Sequence, residues 1–288
     1  MQTRHLGDVT VSAIGLGGMP LSIEGRPDRE RALATIHAAL DAGVTLIDTA
    51  DAYHLTATDV GHNESLIAEA LSTWGGDTSD VLVATKGGHL RPGDGSWYVD
   101  GSPEHLRRAL DASLQRLGVE AIGLYQFHRP DPAVPYAESV GVLGEFLDAG
   151  KIRLAGISNA NPDQIREAQT VLGGRLTSVQ NQYSPAFRSS QAELDLCAEL
   201  GLAFLPWSPL GGISRASALG DTHGAFERIA TTHGVSPQQV ALAWELAQAP
   251  VVIPIPGSSR PATIQDSVRA AELILAPEEI VELDAAAA

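Results

Sequence analysis

Short apolar strands alternate with amphipathic helices along nearly the whole chain, and this alternation restricts the possible fold more than any other feature. The pattern predicts strands at Ala13–Gly17, Thr45–Asp48, Val81–Lys86, Ile122–His128, Leu154–Ser158, Ser178–Asn181, Ala203–Trp207 and Val251–Pro254. It predicts helices at 28–42, 62–73, 102–117, 136–149, 161–172, 189–200, 236–247 and 260–271. Three of these helices begin with a capping residue followed by proline, namely Ser102-Pro103, Asn161-Pro162 and Ser236-Pro237.

Eight strands alternating with eight helices can form either a closed barrel or an open doubly wound sheet. A doubly wound dinucleotide fold should carry Gly-x-Gly-x-x-Gly between its first strand and a helix. Here the only candidate, Gly15-Leu16-Gly17-Gly18-Met19-Pro20, has proline in place of the last glycine and no helix directly after it. We therefore expect an α/β fold of the (β/α)8 TIM barrel type, formed by residues 1–288 as a single domain.

The first residues predict a β-hairpin in front of the barrel. Thr3–His5 and Val9–Val11 are strand-like and flank Leu6-Gly7-Asp8, which is typical of a turn. A hairpin at this position would close the bottom of the barrel, so we expect its role to be structural.

The charge of the chain restricts its partners. It has 35 acidic and 19 basic residues, a formal net charge of −16, which disfavours binding to nucleic acid or to anionic membranes. No apolar run approaches the roughly 18 residues of a membrane span. A single cysteine, Cys197, fits a reducing compartment. We expect a cytoplasmic protein, a monomer or a weak homo-oligomer.

Polar residues stand at the predicted ends of several strands, where the active site of such a barrel gathers. Asp48, Lys86 and His128 end the second, third and fourth strands, and Tyr53 follows Asp48 by five residues. Taken singly, Asp48 can cap a turn, Lys86 can extend to solvent, and His128 is more often a satisfied core histidine. Together, these side chains would converge on one mouth.

That combination can reduce a carbonyl group if a hydride donor is supplied. A nearby lysine ammonium favours the phenolate and should lower the pKa of Tyr53, which could then protonate a carbonyl oxygen. Asp48 would supply the counter-charge that a buried Lys86 needs. His128 could donate a hydrogen bond to the same oxygen. None of these side chains delivers hydride, so a cofactor is required.

The sequence resembles the aldo-keto reductase family over nearly its whole length. The resemblance lies in Ile14–Met19, Gly43–Ala50 with Tyr53, Ala84–Gly87, Leu124–Pro132, Gly156–Asn159, Gln180–Ser184 and Ile255–Ser259. It implies that Tyr53 is the general acid, that Lys86 and Asp48 tune it, and that His128 positions the carbonyl. It also implies hydride transfer from a nicotinamide cofactor that lies across the mouth of the barrel.

For that cofactor, the resemblance implies three groups of residues. Ser158, Asn159 and Gln180 would hold the carboxamide, and Trp207 would stack on the nicotinamide, although packing is an alternative role for it. Ser208, Leu210, Gly211 and Gly212 would cradle the pyrophosphate, unless they form only a turn. Gly257, Ser258, Ser259 and Arg260 would bind the adenosine end, and this basic helix start favours NADPH, with NADH possible.

The substrate pocket is expected to include Met19, His54, Trp97 and Arg129, and to take a small-molecule carbonyl compound. The loop Asp94–Trp97 and Gly257–Ser259 are similar to those of bacterial pyridoxal reductases, which makes pyridoxal a candidate substrate. One alternative is an NADPH-binding regulatory protein of the channel β-subunit type, although such proteins carry an additional N-terminal segment. Another is a metal-dependent hydrolase using His54, His62 and His128. No His-x-His pair ends a strand, so we expect no metal.

Overall fold

The computed structural model describes residues 1–212, 215–216, 219–222 and 224–287, and within them a curled parallel sheet surrounded by helices. The strands are β1 Thr3–Leu6, β2 Val9–Ser12, β3 Leu16–Gly17, β4 Leu46–Asp48, β5 Leu82–Gly87, β6 His89–Leu90, β7 Tyr98–Val99, β8 Ile122–Phe127, β9 Ile152–Ser158, β10 Leu176–Gln180 and β11 Ala203–Phe204. The helices are α1 Arg29–Asp41, α2 His62–Thr73, α3 Pro103–Leu117, α4 Tyr136–Asp148, α5 Pro162–Val171, α6 Gln191–Leu200, α7 Leu219–Thr222, α8 Gly224–His233, α9 Pro237–Gln248, α10 Pro261–Arg269 and α11 Pro277–Ala286.

Seven strands form the main sheet, in the order β11-β10-β9-β8-β5-β4-β3. All neighbours in it are parallel, as expected where helices connect successive strands. Seven of the eight predicted strands therefore lie in this sheet, although β3 and β11 are much shorter than predicted.

The predicted strand Val251–Pro254 is wrong as a regular strand, because prolines interrupt its hydrogen bonding. The amides of Ile253 and Ile255 donate to the β11 side, to Phe204 O and Pro206 O. The alternate positions are Pro254 and Pro256, which have no N–H and only accept, from the amides of Gly15 and Gly17. The segment 251–257 thus reaches both edges of the sheet, through single bridges of Val252 to Phe204 and of Gly257 to Gly17.

The predicted N-terminal hairpin is confirmed. β1 and β2 pair antiparallel with Leu6 opposite Val9, and Gly7 turns the chain with a φ of 60°. Leu6 and Val11 belong to the same buried cluster as inward-facing strand residues such as Leu124. Gly7 lies against Thr177 and Leu154, near the starts of β10 and β9, so the hairpin covers the end of the sheet at which the strands begin.

The helices begin where the capping residues indicate. The side chain of Ser102 accepts a hydrogen bond from His105 N, that of Ser236 from Gln239 N, and that of Asn161 from Gln164 N. Among the described residues, three further helices were not predicted: α7, α8 and α11. α8 begins at a glycine and has Thr231 and Thr232 near its end, and these residues are weak helix formers, so the sequence does not indicate a helix here. The helix nevertheless has an apolar face, which packs through Phe226 and Ile229.

Within the described part of the chain, none of the helices combines the length and the apolar character needed to cross a membrane.

Candidate active site

A cavity of about 820 Å³ opens at the ends of the parallel strands, on the side opposite the hairpin. Many of the polar residues predicted from the strand ends lie in its wall. The predicted residues that line it are Met19, Asp48, Tyr53, Trp97, His128, Arg129, Ser158, Asn159, Gln180, Trp207, Ser208, Leu210, Gly212 and Gly257. The structure therefore brings residues from all parts of the chain to one site.

Beneath this cavity, Lys86 joins Asp48 to Tyr53. The Lys86 Nζ donates to Asp48 Oδ2 at 2.7 Å and to the carbonyl of Thr49 at 2.8 Å, and it lies 3.3 Å from Tyr53 Oη. Lys86 is completely buried, and Asp48 and Tyr53 are 3% and 7% exposed. An ammonium group in such a place requires a counter-charge, which Asp48 supplies.

Two glutamine amides complete the hydrogen bonding of Asp48. The Nε2 of Gln180 donates to Asp48 Oδ1 at 2.8 Å, and that of Gln126 donates to the same oxygen at 3.3 Å. Sequence reasoning assigned Gln180 to the cofactor and missed this contact. It also missed Gln126, although a polar residue two positions before His128 in an apolar strand points to the same inner face. Both carboxylate oxygens of Asp48 thus face hydrogen-bond donors.

The expected direction of the Tyr53 pKa shift is wrong. Burial raises the pKa of Tyr53 above its ordinary value, and this outweighs the opposing effect of the Lys86 ammonium. Burial alone would lower the pKa of Lys86, but the Asp48 carboxylate beside it raises that pKa above its usual value. At neutral pH the site therefore holds an un-ionised phenol next to an ammonium ion.

The ring of His128 lies edge-on to that of Tyr53, with centroids 5.9 Å apart. Burial, with the charge of Lys86 adding to it, holds the pKa of His128 well below its usual range, so the ring is neutral at pH 7. His89 of β6 packs edge-on against His128 at 4.9 Å and also lines the cavity. Burial lowers the pKa of His89 to about 4. Sequence reasoning did not single out His89, which no motif marks.

Two of the predicted cofactor residues have unusual backbone conformations. Asn159 has a φ of 57° and Ser208 a φ of 52°, and they are the two non-glycine residues with positive φ in the described part of the chain. Such conformations cost energy and cluster at active sites and ligand-binding sites. Asn159 is held by its side-chain amide, which donates to the carbonyl of His128 at 3.0 Å and to Ser158 Oγ at 3.0 Å.

The loop after β11 forms one wall of the cavity. Trp207, Ser208, Leu210 and Gly212 line it, whereas Gly211 does not. Gly211 and Gly212 have φ values of 81° and 98°, which only glycine adopts readily. The indole Nε1 of Trp207 is buried without a hydrogen-bond partner in the described structure.

The predicted adenosine-binding residues lie at the start of α10. Gly257 lines the cavity, but Ser258, Ser259 and Arg260 lie outside its lining. Ser258 is 2% exposed, and its Oγ has no hydrogen-bond partner among the described residues. Arg260 is exposed and occupies the N-cap position of α10, where its side chain makes no capping bond.

Three of the four residues predicted for the substrate pocket line the cavity, namely Met19, Trp97 and Arg129. The fourth, His54, does not. It lies in the wall of a second cavity of about 360 Å³, and its Nδ1 donates to the carbonyl of Thr56 at 2.7 Å. His62 bonds Ser22 Oγ. In the described residues, no group of three or more potential metal ligands is found.

Comparison with known proteins places this geometry among related enzymes. The model of the aldo/keto reductase family matches residues 13–288. The chain is 36% identical over 279 residues to 6-dehydroglucose reductase of Novosphingobium aromaticivorans, covering 93% of this chain and 89% of that protein. It is 33% identical over 297 aligned positions to pyridoxine 4-dehydrogenase of Escherichia coli, covering 98% and 97%. An aldo-keto reductase of Klebsiella pneumoniae in complex with NADPH has a TM-score of 0.82 at 26% identity, covering 99% and 95%.

Proposed function

Because this chain belongs to the aldo/keto reductase family, whose members are NAD(P)H-dependent oxidoreductases, we propose that it reduces a small aldehyde or ketone to the alcohol with NADPH. The observation that carries the proposal is the buried, hydrogen-bonded group of Asp48, Lys86 and Tyr53 at the base of the cavity. It combines a proton donor with a fixed positive charge next to the oxygen that loses the proton.

The fold proposed for this site is a closed (β/α)8 barrel. The segment 251–257 would take the place of the eighth strand, because it forms backbone hydrogen bonds with the β11 side and with the β3 region on its other side. Closure would hold Gly257 and Asp48 at the same mouth, where both line the cavity.

Tyr53 is proposed as the general acid. Its raised pKa keeps the phenol protonated at neutral pH, so the proton is available when a carbonyl oxygen gains negative charge. Once the proton has left, the phenolate lies 3.3 Å from the Lys86 ammonium, which stabilises it. The role of Lys86 is therefore to stabilise the ionised product of proton transfer rather than to ionise Tyr53 beforehand. Positioned general acids contribute about 10²–10⁴ in rate.

His128 is proposed to orient the substrate carbonyl. Its low pKa keeps the ring uncharged, so it can donate one hydrogen bond without competing with Tyr53 as an acid. Its position against Tyr53 would let both rings reach one oxygen atom. The Nδ1 of His128 is buried without a hydrogen-bond partner among the described residues. A bound ligand would therefore determine which ring nitrogen carries the proton.

The residues present fit a nicotinamide dinucleotide. When bound, this cofactor supplies the hydride that no side chain can deliver. Asn159 and Ser158 would hold its carboxamide and Trp207 would stack on its ring, and Ser208 to Gly212 would surround the pyrophosphate. The buried Trp207 Nε1 and Ser258 Oγ, both without partners in the described chain, are consistent with polar contacts to a ligand. The positive φ values of Asn159 and Ser208 fit a loop shaped for binding.

Two features favour NADPH over NADH. Ser258, Ser259 and Arg260 stand at the N-terminus of α10, where backbone amides and a guanidinium group suit a phosphate. The similar Klebsiella pneumoniae protein was solved with NADPH. Pyridoxal is a candidate substrate, since the chain is similar to pyridoxine 4-dehydrogenase over nearly its full length and Trp97 offers an aromatic wall to a flat ring.

The test is to measure NADPH and NADH binding by cofactor fluorescence, and then NADPH oxidation with pyridoxal and simple aldehydes. We expect tighter binding of NADPH and turnover that Tyr53→Phe reduces strongly. If neither nucleotide binds, the proposal is wrong. If NADPH binds and no carbonyl compound is reduced, a regulatory NADPH-binding role replaces it.

A further inference from the structure

The charged groups that line the active-site cavity do not balance. Among its described lining residues, three carry a formal charge: Glu24, Asp48 and Arg129. Asp48 is paired with Lys86, and Glu24 forms an ion pair with Arg91. In the described part of the chain, no carboxylate lies within ion-pair distance of Arg129. The cavity therefore presents one uncompensated positive charge.

The acidic residue closest to Arg129 in sequence is occupied elsewhere. Asp131 Oδ2 accepts the amide of Gly101 at 2.8 Å, and its Oδ1 accepts the amide of Ala133 at 2.8 Å. These bonds fix the loop after β8 and direct the carboxylate towards backbone rather than towards the guanidinium. Arg129 is exposed, so its guanidinium group is open to a ligand that enters the cavity from solvent.

Arg129 lies on the opposite side of the cavity from the residues proposed for the cofactor phosphates. It follows β8, the central strand of the seven, whereas Gly257 belongs to the segment that reaches both sheet edges. Burial is the main cause of the low pKa of His128 and of His89, and the charge of Arg129 lowers both further. Arg129 directly follows His128 in the chain and lines the same cavity, so its charge lies near the proposed proton donor.

From this arrangement we infer that the preferred substrate is an anionic carbonyl compound, whose carboxylate or phosphate group binds Arg129 while its carbonyl faces Tyr53. Pyridoxal, which has neither group, would then be a poorer substrate than an anionic aldehyde. This inference rests on the proposed function. A guanidinium group offers two parallel N–H donors, which match either anion. Trp97 lies in the same cavity, held by the ring of His89 at 4.8 Å and the guanidinium of Arg91 at 5.0 Å. It gives an apolar wall to the part of the substrate between carbonyl and anion.

The experiment compares aldehydes that differ only in charge. 4-Carboxybenzaldehyde and 4-carbamoylbenzaldehyde have nearly the same shape, and kcat/KM with NADPH is measured for both. The parent protein should prefer the acid by about tenfold, and Arg129→Met should remove this preference mainly through KM. Arg129→Lys should keep part of it, and added salt should weaken it. The ratio of kcat/KM for glyceraldehyde 3-phosphate to that for glyceraldehyde measures the preference for a phosphate. Comparing it with the ratio for the two benzaldehydes shows whether phosphate is favoured over carboxylate.

Arg153→Met is the matched control. It removes the same charge from an exposed residue near the start of β9, at the end of the sheet away from the cavity, and should keep the preference for the acid. A parent protein that reduces both benzaldehydes equally, or a preference that survives Arg129→Met, would overturn the inference and leave the proposed function intact. Weaker NADPH binding by Arg129→Met would make Arg129 a cofactor ligand and also overturn it. Failure to reduce any aldehyde would reject the proposed function itself.

Discussion

Replacing Asp48 by asparagine should destabilise the protein strongly, because every partner of this carboxylate is a hydrogen-bond donor. Lys86 Nζ donates to Oδ2, and Gln180 and Gln126 donate to Oδ1. An asparagine has one carbonyl oxygen and one NH₂ group, so whichever way it is turned, its NH₂ group faces a donor. The variant also leaves the buried Lys86 ammonium without its counter-charge.

The size of the effect follows from burial. Removing one partner of a buried ion pair costs about 3–5 kcal/mol in the free energy of unfolding. At about 2 °C per kcal/mol for a chain of this size, Tm should fall by roughly 6–10 °C. Asp148→Asn is the control, because its ion pair with Arg175 has a similar distance of 2.6 Å but its partners are 47% and 69% exposed. That variant should lose less than about 1 kcal/mol.

The assay is thermal and urea unfolding of both variants, followed by circular dichroism, with kcat measured against pH. In Asp48→Asn, burial then dominates at Lys86, so the pKa of Lys86 should fall and the rate should decline further as pH rises. A Tm for Asp48→Asn within about 2 °C of the parent, or equal losses in the two variants, would show that burial does not control the strength of this pair.

Three further predictions concern other parts of the molecule. Tyr53→Phe should lower kcat by about 10²–10⁴ while NADPH fluorescence titration gives nearly the parent Kd; a loss below about fivefold would mean that another group is the acid. Burial raises the pKa of Glu245 well above 4.5, so the folded state holds it neutral and stability falls as pH rises from the unfolded pKa towards the folded one. Glu245→Gln should therefore raise Tm more at about pH 7.5 than at about pH 5, and an equal gain at both would contradict this assignment. Gly17→Ala should lower Tm and weaken NADPH binding because its Cβ would lie 2.7 Å from the carbonyl of Ile255, whereas Gly141→Ala, with 4.0 Å to its nearest neighbour, should be neutral or slightly stabilising.

Most of the fold could be predicted because the signals are local. Strand period, helix period and capping residues such as Ser102 and Asn161 are properties of short segments, and they located seven strands and most helices. The last strand could not be predicted as it is, because its hydrogen bonds depend on which neighbour each peptide group faces. Pro254 and Pro256 are tolerated only because their missing N–H groups all point to one side.

The clustering of candidate residues could also be predicted, since strand ends meet at one mouth in such a fold. The part of the cavity wall that β6 and β7 form could not be predicted from the sequence. His89, Trp97 and Arg91 are held by one another and by Glu24, a residue more than sixty positions away in sequence. These contacts cross between loops, and no periodicity in either loop encodes them.

The direction of the Tyr53 pKa shift was predicted incorrectly because two opposing effects meet at one oxygen. The sequence identifies Lys86 as the charged residue beside the Tyr53 phenol, and the effect of a lysine ammonium alone is to lower the pKa of the tyrosine. It does not give the depth at which the pair lies, and with Tyr53 only 7% exposed the cost of desolvating a phenolate is larger than the benefit of the ammonium. The consequence is chemical. A phenol that is protonated in the resting protein can donate its proton as soon as a carbonyl compound is in place, and after each turnover the phenolate takes a proton back from solvent. Because the Lys86 ammonium favours the phenolate, it stabilises the negative charge that develops on the Tyr53 oxygen in the transition state and so lowers the barrier.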